Sequence, residues 1–330
     1  MTEPLLSIRD LKVEFNTRYG SVTALNGIDL DLHADKTLGI VGESGCGKSI
    51  TALATMGLIP DPPGHIAEGR IVFDGEDITR ADARRLRKLR GADISMIFQE
   101  PMTSLNPVFA VGDQIAEAIM LHQSTGRAAA DRMAVELLNT VGIPDPEQRA
   151  QSYPHQLSGG MRQRVMIAIA ISCRPRILIA DEPTTALDVT VQAQIFDLMR
   201  DIQQQSGVAI MLITHDMGAI AEMADQVAVM YAGQIVESGT ADAILDNPLH
   251  PYTRGLIGCI PVIGKQAERN GRMPQLAEIP GIVPPLHLLG QGCAFADRCP
   301  LAFDRCRAES PILKGDTHRV ACFATGVQRA

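Results

Sequence analysis

The fold of this chain follows from one stretch of sequence, Gly42-Glu43-Ser44-Gly45-Cys46-Gly47-Lys48-Ser49, which fits the phosphate-loop pattern G-x-x-x-x-G-K-[ST] at each fixed position. An apolar run of strand length, 37–41, precedes it, and a helical pattern, 50–58, follows it. In this context backbone N–H groups and a helix N-terminus converge on phosphate oxygens. The pattern assigns Lys48 to the β- and γ-phosphates and the Ser49 hydroxyl to Mg²⁺. The sequence therefore predicts a nucleotide-binding core.

The length and composition of the chain indicate a two-domain α/β protein. It has 330 residues, of which 45% are apolar and only 4% aromatic. The net charge of -8 argues against a nucleic-acid binder that works by bulk electrostatics. No apolar stretch approaches the roughly 18–20 residues that span a bilayer, and we see no secretory signal. We therefore expect a cytosolic protein that contacts a membrane only through a partner.

Three further apolar runs end in polar side chains. These runs and the residues that end them are 94–98 with Gln99, 177–180 with Asp181 and Glu182, and 208–214 with His215. Because open α/β sheets bind ligands at the carboxyl ends of their strands, we expect these side chains beside the phosphate loop. Asp181 is then placed to hold Mg²⁺ through water, and Glu182 to act as general base for a hydrolytic water. The alternatives are a backbone-bonded Gln99, two solvated acids and a structural His215.

A second glycine-containing element, 157–163 (LSGGMRQ), precedes a long predicted helix. Ser158 is a suitable N-cap, and Gly159 and Gly160 expose backbone N–H groups. The element is therefore a second helix terminus that could bind an anion, although an ordinary capped helix start is the alternative. Farther along, Asp188 ends a polar turn before another helix.

The remaining patterns outline the domains. Residues 5–32 alternate apolar and polar, which predicts antiparallel strands around a turn that carries Tyr19. Residues 112–141 show helical spacing, and composition shifts to frequent Pro and Gly after residue 246. We therefore predict a nucleotide-binding domain, 1–246, and a C-terminal extension, 247–330.

Four of the seven cysteines lie in this extension: Cys293, Cys299, Cys306 and Cys322. A Pro- and Gly-rich segment too small for its own core suggests a site that binds metal in order to fold. The spacing lacks the C-x2-C pairs of a zinc ribbon, and Cys299-Pro300 is similar to the end of the ferredoxin run. From spacing alone, an iron–sulfur cluster, structural zinc and free or regulatory thiols all stay open.

The element 157–163, set between the phosphate loop and the two strand-end carboxylates, resembles the signature of the ATP-binding cassette family. The resemblance implies an α/β fold: a P-loop NTPase core with an N-terminal antiparallel β-subdomain, an α-helical subdomain carrying the signature, and a small irregular Cys-containing C-terminal extension. It also implies ATP and Mg²⁺ as cofactors. The implied roles are adenine stacking for Tyr19, sensing of γ-phosphate and Mg²⁺ for Gln99, a dimer-seam contact for Asp188 and the switch histidine for His215.

Two stretches are similar to the dipeptide and oligopeptide importer ATPases of this family. They are 96–107 (MIFQEPMTSLNP) and His250-Pro251-Tyr252-Thr253, and the Cys-containing tail is similar as well. In that subfamily the tail cysteines are associated with a [4Fe-4S] cluster, so the resemblance implies one on the four tail cysteines.

The resemblance further implies an assembly. ATP held by one chain would be covered by Ser158, Gly159 and Gly160 of a second, related ATPase subunit, which makes a head-to-tail heterodimer. Two transmembrane permease subunits would be moved through surfaces beside 99–107, and an extracytoplasmic solute-binding protein would deliver the solute. No nucleic acid is implied. The chain would then lie peripherally on the cytoplasmic face of the inner or plasma membrane.

Two other functions deserve comparison. One is a soluble cassette ATPase that acts on DNA or the ribosome, and the other is an iron–sulfur redox-sensing ATPase. Proteins of the first kind usually carry two cassettes or a long coiled-coil insertion, and this sequence has neither. The solute itself is left open by the sequence: dipeptides, longer peptides, glutathione, nickel and sugars are carried by similar transporters.

Overall fold

The structure is a computed structural model, and it describes residues 3–18, 20–99, 104–185, 187–260 and 278–325. The strands in these ranges are β1 (Leu6–Thr17), β2 (Gly20–Leu32), β3 (Thr37–Val41), β4 (Gly64–Phe73), β5 (Glu76–Asp77), β6 (Ile94–Ile97), β7 (Ile177–Asp181), β8 (Ala209–Thr214), β9 (Gln226–Tyr231), β10 (Gln234–Thr240) and β11 (Arg319–Val320). The α-helices are α1 (Lys48–Thr55), α2 (Ala83–Leu89), α3 (Val111–His122), α4 (Arg127–Thr140), α5 (Pro146–Ala150), α6 (Gly159–Ile171), α7 (Val189–Ser206), α8 (Met217–Met223), α9 (Ala241–Asp246), α10 (Pro251–Gly258) and α11 (Asp304–Ala308).

The N-terminal strands form an antiparallel sheet in the order β2-β1-β4-β5, as the alternating pattern predicts. Ile8 of β1 lies opposite Leu30 on one side and Ile71 on the other, and all three are buried. β4 is longer than its apolar residues suggest, because pairing with β1 continues as far as Gly64, opposite Phe15. Cross-strand pairing therefore extends this strand beyond its own hydrophobic pattern.

The core sheet has the order β11-β10-β9-β3-β8-β7-β6 among the described residues. β9, β3, β8, β7 and β6 run parallel, and β10 and β11 add an antiparallel edge. Every residue of β3, β6, β7 and β8 is buried. Continuous burial is expected of parallel strands that are covered on both faces, and it explains their unbroken apolar runs.

The helical subdomain consists of α3 to α6 and confirms the helices predicted over 112–141. Its apolar residues, including Ile115, Leu138 and Val165, belong to one buried cluster that continues into β7 and β8. Pro146, which follows the predicted helices, opens the short helix α5, because a proline suits the first turn of a helix.

The C-terminal extension is joined to the core sheet and its apolar interior. β11 pairs with β10, and the Phe295 ring lies 5.2 Å from the Tyr231 ring and 5.4 Å from the Tyr252 ring. These three rings belong to one buried cluster with residues of β3, β9 and β10. The extension therefore obtains its core by packing on the nucleotide-binding region. No helix in the described ranges is both long enough and apolar enough to cross a membrane.

Candidate active site

The parallel strands bring their carboxyl ends to one edge of the sheet. β3 leads into the phosphate loop. On one side of it, β8 ends at Thr214, just before His215, β7 ends at Asp181, just before Glu182, and β6 ends at Ile97, two residues before Gln99. Since β3, β8, β7 and β6 are adjacent in that order, the side chains predicted to act together lie along one edge.

The phosphate loop turns directly into α1. Gly47 has φ 108, a left-handed conformation that favours glycine, and it is the N-cap of the helix. A side chain on Gly42 would collide with the carbonyl oxygen of Met230 on the neighbouring β9. Lys48 is buried, and its Nζ donates to the carbonyl oxygens of Gly42 at 2.7 Å and Glu43 at 3.0 Å. The loop therefore holds the ammonium with neutral oxygens, among backbone N–H groups at a helix N-terminus.

Ser49 and Asp181 form the oxygen pair that the sequence assigned to Mg²⁺. The Ser49 hydroxyl donates to Asp181 Oδ1 at 3.1 Å. Burial raises the pKa of Asp181, the Ser49 hydrogen bond opposes this rise, and the charge of Glu182 adds to it. A hydroxyl and a carboxylate are the hard oxygen ligands that Mg²⁺ prefers, so the residues present fit that ion.

Gln99 and His215 both contact Glu182. Glu182 Oε2 accepts from Gln99 Nε2 and from Thr185 Oγ1, each at 2.9 Å, and its Oε1 lies 3.2 Å from His215 Nδ1. Burial pushes the pKa of Glu182 upward, but the hydrogen bonds from Thr185 and His215 and the charges of His215 and Lys48 outweigh it, so the pKa lies below its usual value. The carboxylate is therefore ionised at neutral pH and able to accept a proton or to orient a water.

The backbone at Glu182 is held in an unusual conformation. Its φ is 49, in the left-handed region, and its N–H donates to the Ile213 carbonyl of β8 at 2.8 Å. A non-glycine residue in that region costs about 1–3 kcal/mol and persists only when its surroundings fix it. The sheet therefore holds this carboxylate in one place. Sequence reasoning missed Thr185, and the available signal was a hydroxyl three residues after the acid.

A cavity of about 380 Å³ opens beside this carboxylate. Glu182 and His215 line one part of it, and Leu256, Cys259 and Ile260 line another. The extension therefore flanks the site, which the sequence did not predict.

The predicted signature element, 157–163, forms the start of α6. Ser158 Oγ accepts from the Met161 N–H at 3.3 Å, which confirms the predicted N-cap of α6. Gly160 faces Val191 closely, and Asp188 Oδ1 accepts from the Val191 N–H at 3.0 Å. The structure thus groups Ser158, Gly160 and Asp188 around the start of α7. Tyr19 and 100–103 lie outside the described residues.

The four tail cysteines, Cys293, Cys299, Cys306 and Cys322, line one narrow cavity together with His250. Burial raises the pKa of Cys293 to about 11, and the neighbouring thiols add to this rise. Within the described ranges, no three metal-ligating side chains are placed to hold a metal ion. The fold therefore gathers the predicted thiols but does not present them as a formed metal site.

Two residues of the extension contact the phosphate loop itself. The Tyr252 hydroxyl accepts from the Glu43 N–H at 2.8 Å, and Arg298 donates to the Glu43 carboxylate at 2.7 Å. Sequence reasoning noted Tyr252 only within a resemblance and missed Arg298. Nothing in the local pattern marks Arg298, since it is one arginine beside a cysteine.

Comparison with known proteins shows the same family over most of the chain. Residues 25–185 match the family model described as ABC transporter, and 236–306 match the oligopeptide/dipeptide transporter C-terminal region. The dipeptide transport ATP-binding protein DppD of Bacillus subtilis is 48% identical over 97% of this chain and 95% of its own length. DppD of Escherichia coli K12 is 50% identical over 94% of this chain and 92% of its own. The solved structure of cbiO1 from Clostridium perfringens, part of the ABC transporter complex cbiONQ, is 26% identical, with a TM-score of 0.63 over 74% of this chain and 92% of that one.

Proposed function

We propose a function from one premise: this chain belongs to the family of ABC transporter ATP-binding proteins. As a member of this family it is an ATPase. We propose that its hydrolysis of ATP powers the import of dipeptides or related peptides. The observation that carries this proposal is full-length similarity to dipeptide transport ATP-binding proteins, including the extension that matches the peptide-transporter C-terminal region.

The proposed chemistry uses the edge of the core sheet. The residues of the loop, 42–49, would bind the phosphates through backbone N–H groups and Lys48. Glu182 would polarise the attacking water, His215 would hold the γ-phosphate and Gln99 would sense it. Mg²⁺, when bound by Ser49 and through water by Asp181, would neutralise charge on the phosphates. The contacts of Gln99 and His215 with Glu182 support this assignment.

We propose that the site is completed by a second, related ATPase subunit. Ser158, Gly159 and Gly160 of one chain would cover ATP held by the other, with Asp188 at the seam. The grouping of Ser158, Gly160 and Asp188 at the start of α7 supports this, because one surface then presents all of them to a partner. Tyr19 would stack on adenine. ATP would bind the closed dimer better and so shift the population toward it.

We propose that two permease subunits contact this chain beside 99–107, and that the chain lies on the cytoplasmic face of the membrane. Three apolar side chains near this segment are exposed: Phe98, Val108 and Phe109. Contiguous exposed apolar surface is typical of protein contact sites, and these three side chains flank the proposed segment in the sequence. A solute-binding protein outside the membrane would deliver the peptide.

Co-purification from detergent extracts tests the assembly. We expect a related ATPase and two membrane subunits to remain with the chain, and vesicles that contain the complex to accumulate a labelled dipeptide when ATP is supplied. Accumulation of nickel or a sugar in place of peptides would correct the solute. Purification without membrane subunits would favour the soluble cassette ATPase.

We propose further that the four tail cysteines assemble a [4Fe-4S] cluster. Their convergence on one cavity supports this, and their positions would have to draw together around the metal. Metal and acid-labile sulfide analysis of anaerobically purified protein tests it. We expect iron and sulfide to disappear together in Cys306→Ser. Zinc without sulfide would instead indicate a structural zinc site. Absence of both metals would indicate that the cysteines are free thiols.

A further inference from the structure

Arg298, in the extension, forms a salt bridge with Glu43 of the phosphate loop. Its two terminal nitrogens donate to the two carboxylate oxygens at 2.7 and 3.0 Å, and its side chain is only 6% exposed. The guanidinium also lies over the rings of Tyr231 and Phe295, at 5.8 and 5.9 Å, and its Nε donates to the Pro280 carbonyl at 2.7 Å. Such a two-bond fork is specific to arginine and fixes both partners.

Glu43 in turn belongs to the part of the loop that holds Lys48. Its carbonyl accepts from Lys48 Nζ at 3.0 Å, and its N–H donates to Tyr252. The extension therefore contacts both the backbone and the carboxylate of one loop residue. Arg298 lies 255 positions from Glu43 in the chain, and Tyr252 lies 209 positions from it.

The charge of Glu43 gives this contact its significance. A carboxylate within a loop that binds a triphosphate repels the ligand, and the repulsion is strong where solvent is partly excluded. The positively charged Arg298 guanidinium is hydrogen-bonded to that carboxylate. This hydrogen bond raises the pKa of Arg298 further above its usual value. The pair is therefore neutral beside the phosphates, whereas Glu43 alone would be an anion there.

We propose that Arg298 is a positioning residue of the ATP site, which acts through Glu43 by cancelling its charge and holding it away from the phosphates. The inference rests on the proposed role of loop 42–49 in binding ATP. It gives the C-terminal extension a direct part in nucleotide affinity.

Equilibrium binding of MgATP to the purified full-length chain tests the proposal. In Arg298→Met we expect affinity to fall about tenfold, because Glu43 is left as an uncompensated anion. Glu43→Gln should bind MgATP a few-fold more tightly, since the positive Arg298 remains. In the double variant both charges are gone, so affinity should return to within about threefold of the parent chain.

Salt dependence and a matched control variant distinguish an electrostatic effect of Arg298→Met from a structural one. The loss in Arg298→Met should shrink as ionic strength rises, because salt screens the repulsion between Glu43 and the phosphates. Arg307→Met is the control, since Arg307 pairs with Asp297 on the surface of the same extension at 2.9 Å. We expect Arg307→Met to bind MgATP like the parent chain.

Several outcomes would overturn the proposal. They are unchanged affinity in Arg298→Met, a double variant as weak as Arg298→Met, or a loss that salt does not alter. If Arg298→Met does not fold, Glu43→Gln decides alone, because weaker binding by that variant would contradict the charge argument. Lys48→Ala distinguishes the two levels: if it binds MgATP normally, the loop assignment itself is wrong.

Discussion

The carboxyl edge of the core sheet and the C-terminal extension hold their important side chains in different ways. At the sheet edge, the position of each polar group follows from the strand that precedes it, and the backbone ladder of β6, β7, β8 and β3 fixes those strands. Where the structure describes the extension, over 247–260 and 278–325, it has few regular elements, and buried side-chain contacts hold it in place. Substitutions at the edge should therefore change chemistry, whereas substitutions at the contacts of the extension should change stability or loop geometry.

Glu237 shows how the extension is held. This fully buried carboxylate of β10 accepts from the N–H groups of Leu249 and His250, at 2.7 and 2.8 Å, and lies 2.7 Å from His318 Nε2. One side chain thus joins the core sheet to both ends of the extension. A hydrogen-bonded buried carboxylate is costly to disturb, because its partners lose their acceptor without gaining water.

The largest effect is expected at the sheet edge. Glu182→Gln should lower ATP turnover about a hundred- to ten-thousandfold, because the amide cannot accept a proton from the attacking water. MgATP binding should persist and a closed dimer should accumulate, which phosphate release and size-exclusion chromatography would measure. Glu222→Gln, on the surface of α8, is the matched control. Normal phosphate release by Glu182→Gln would show that the general base lies elsewhere.

The second largest effect is also expected at the edge of the core sheet, and it concerns the affinity for MgATP. Lys48→Ala should weaken MgATP binding by roughly ten- to a hundredfold, because the buried ammonium that we propose binds the phosphates is lost. Fluorescence titration with a nucleotide analogue measures it, and Lys36→Ala, an exposed lysine paired with Asp225, should bind normally. Equal affinity in the two variants would count against the edge as the nucleotide site.

The third prediction concerns the extension. Glu237→Ala should lower the free energy of unfolding by about 3 kcal/mol, since the buried His250 N–H, the partly buried Leu249 N–H and the His318 ring lose their acceptor. Thermal unfolding followed by circular dichroism should shift down by roughly 5–10 °C. Glu309→Ala removes an exposed carboxylate of the same extension and should leave the midpoint unchanged. A midpoint that does not move in Glu237→Ala would mean that the aromatic cluster alone holds the extension.

The smallest effect is a dependence of stability on pH. Burial lowers the pKa of His250 from 6.5 to about 4, in a cavity that it shares with the four tail thiols. Below pH 6.5, His250 is protonated in the unfolded chain but stays neutral in the folded chain. The free energy of unfolding therefore falls as pH drops toward 4. Between pH 7 and 5.5 the loss should be about 1 kcal/mol.

Thermal midpoints at these two pH values measure this effect. His250→Asn should reduce the difference, because Asn does not titrate and can still cap α10 by accepting from the Tyr252 N–H, as His250 Nδ1 does at 3.0 Å. Equal pH dependence in both proteins would assign the effect to a group other than His250.

Much of the edge could be predicted from the sequence because its signals are local. The phosphate-loop pattern and the apolar runs each lie within one short segment, and strand topology does the rest. The helix after the loop begins at Lys48, two residues before the predicted pattern, because Gly47 serves as its N-cap. Composition predicts a tail without a core of its own. It does not show that Phe295 of the tail packs against Tyr231 and Tyr252.

By itself, the sequence determined which chemistry this protein performs, since the loop, the two carboxylates and the glycine-containing signature are each defined by neighbouring residues. Only the tertiary structure decided which distant groups contact the phosphate loop and hold the extension. Arg298 with Glu43 and Glu237 with His318 are contacts between residues far apart in the sequence, and they form only in the folded chain. A contact across 255 positions leaves no periodic trace in the sequence, because it is set by the packing of the elements between.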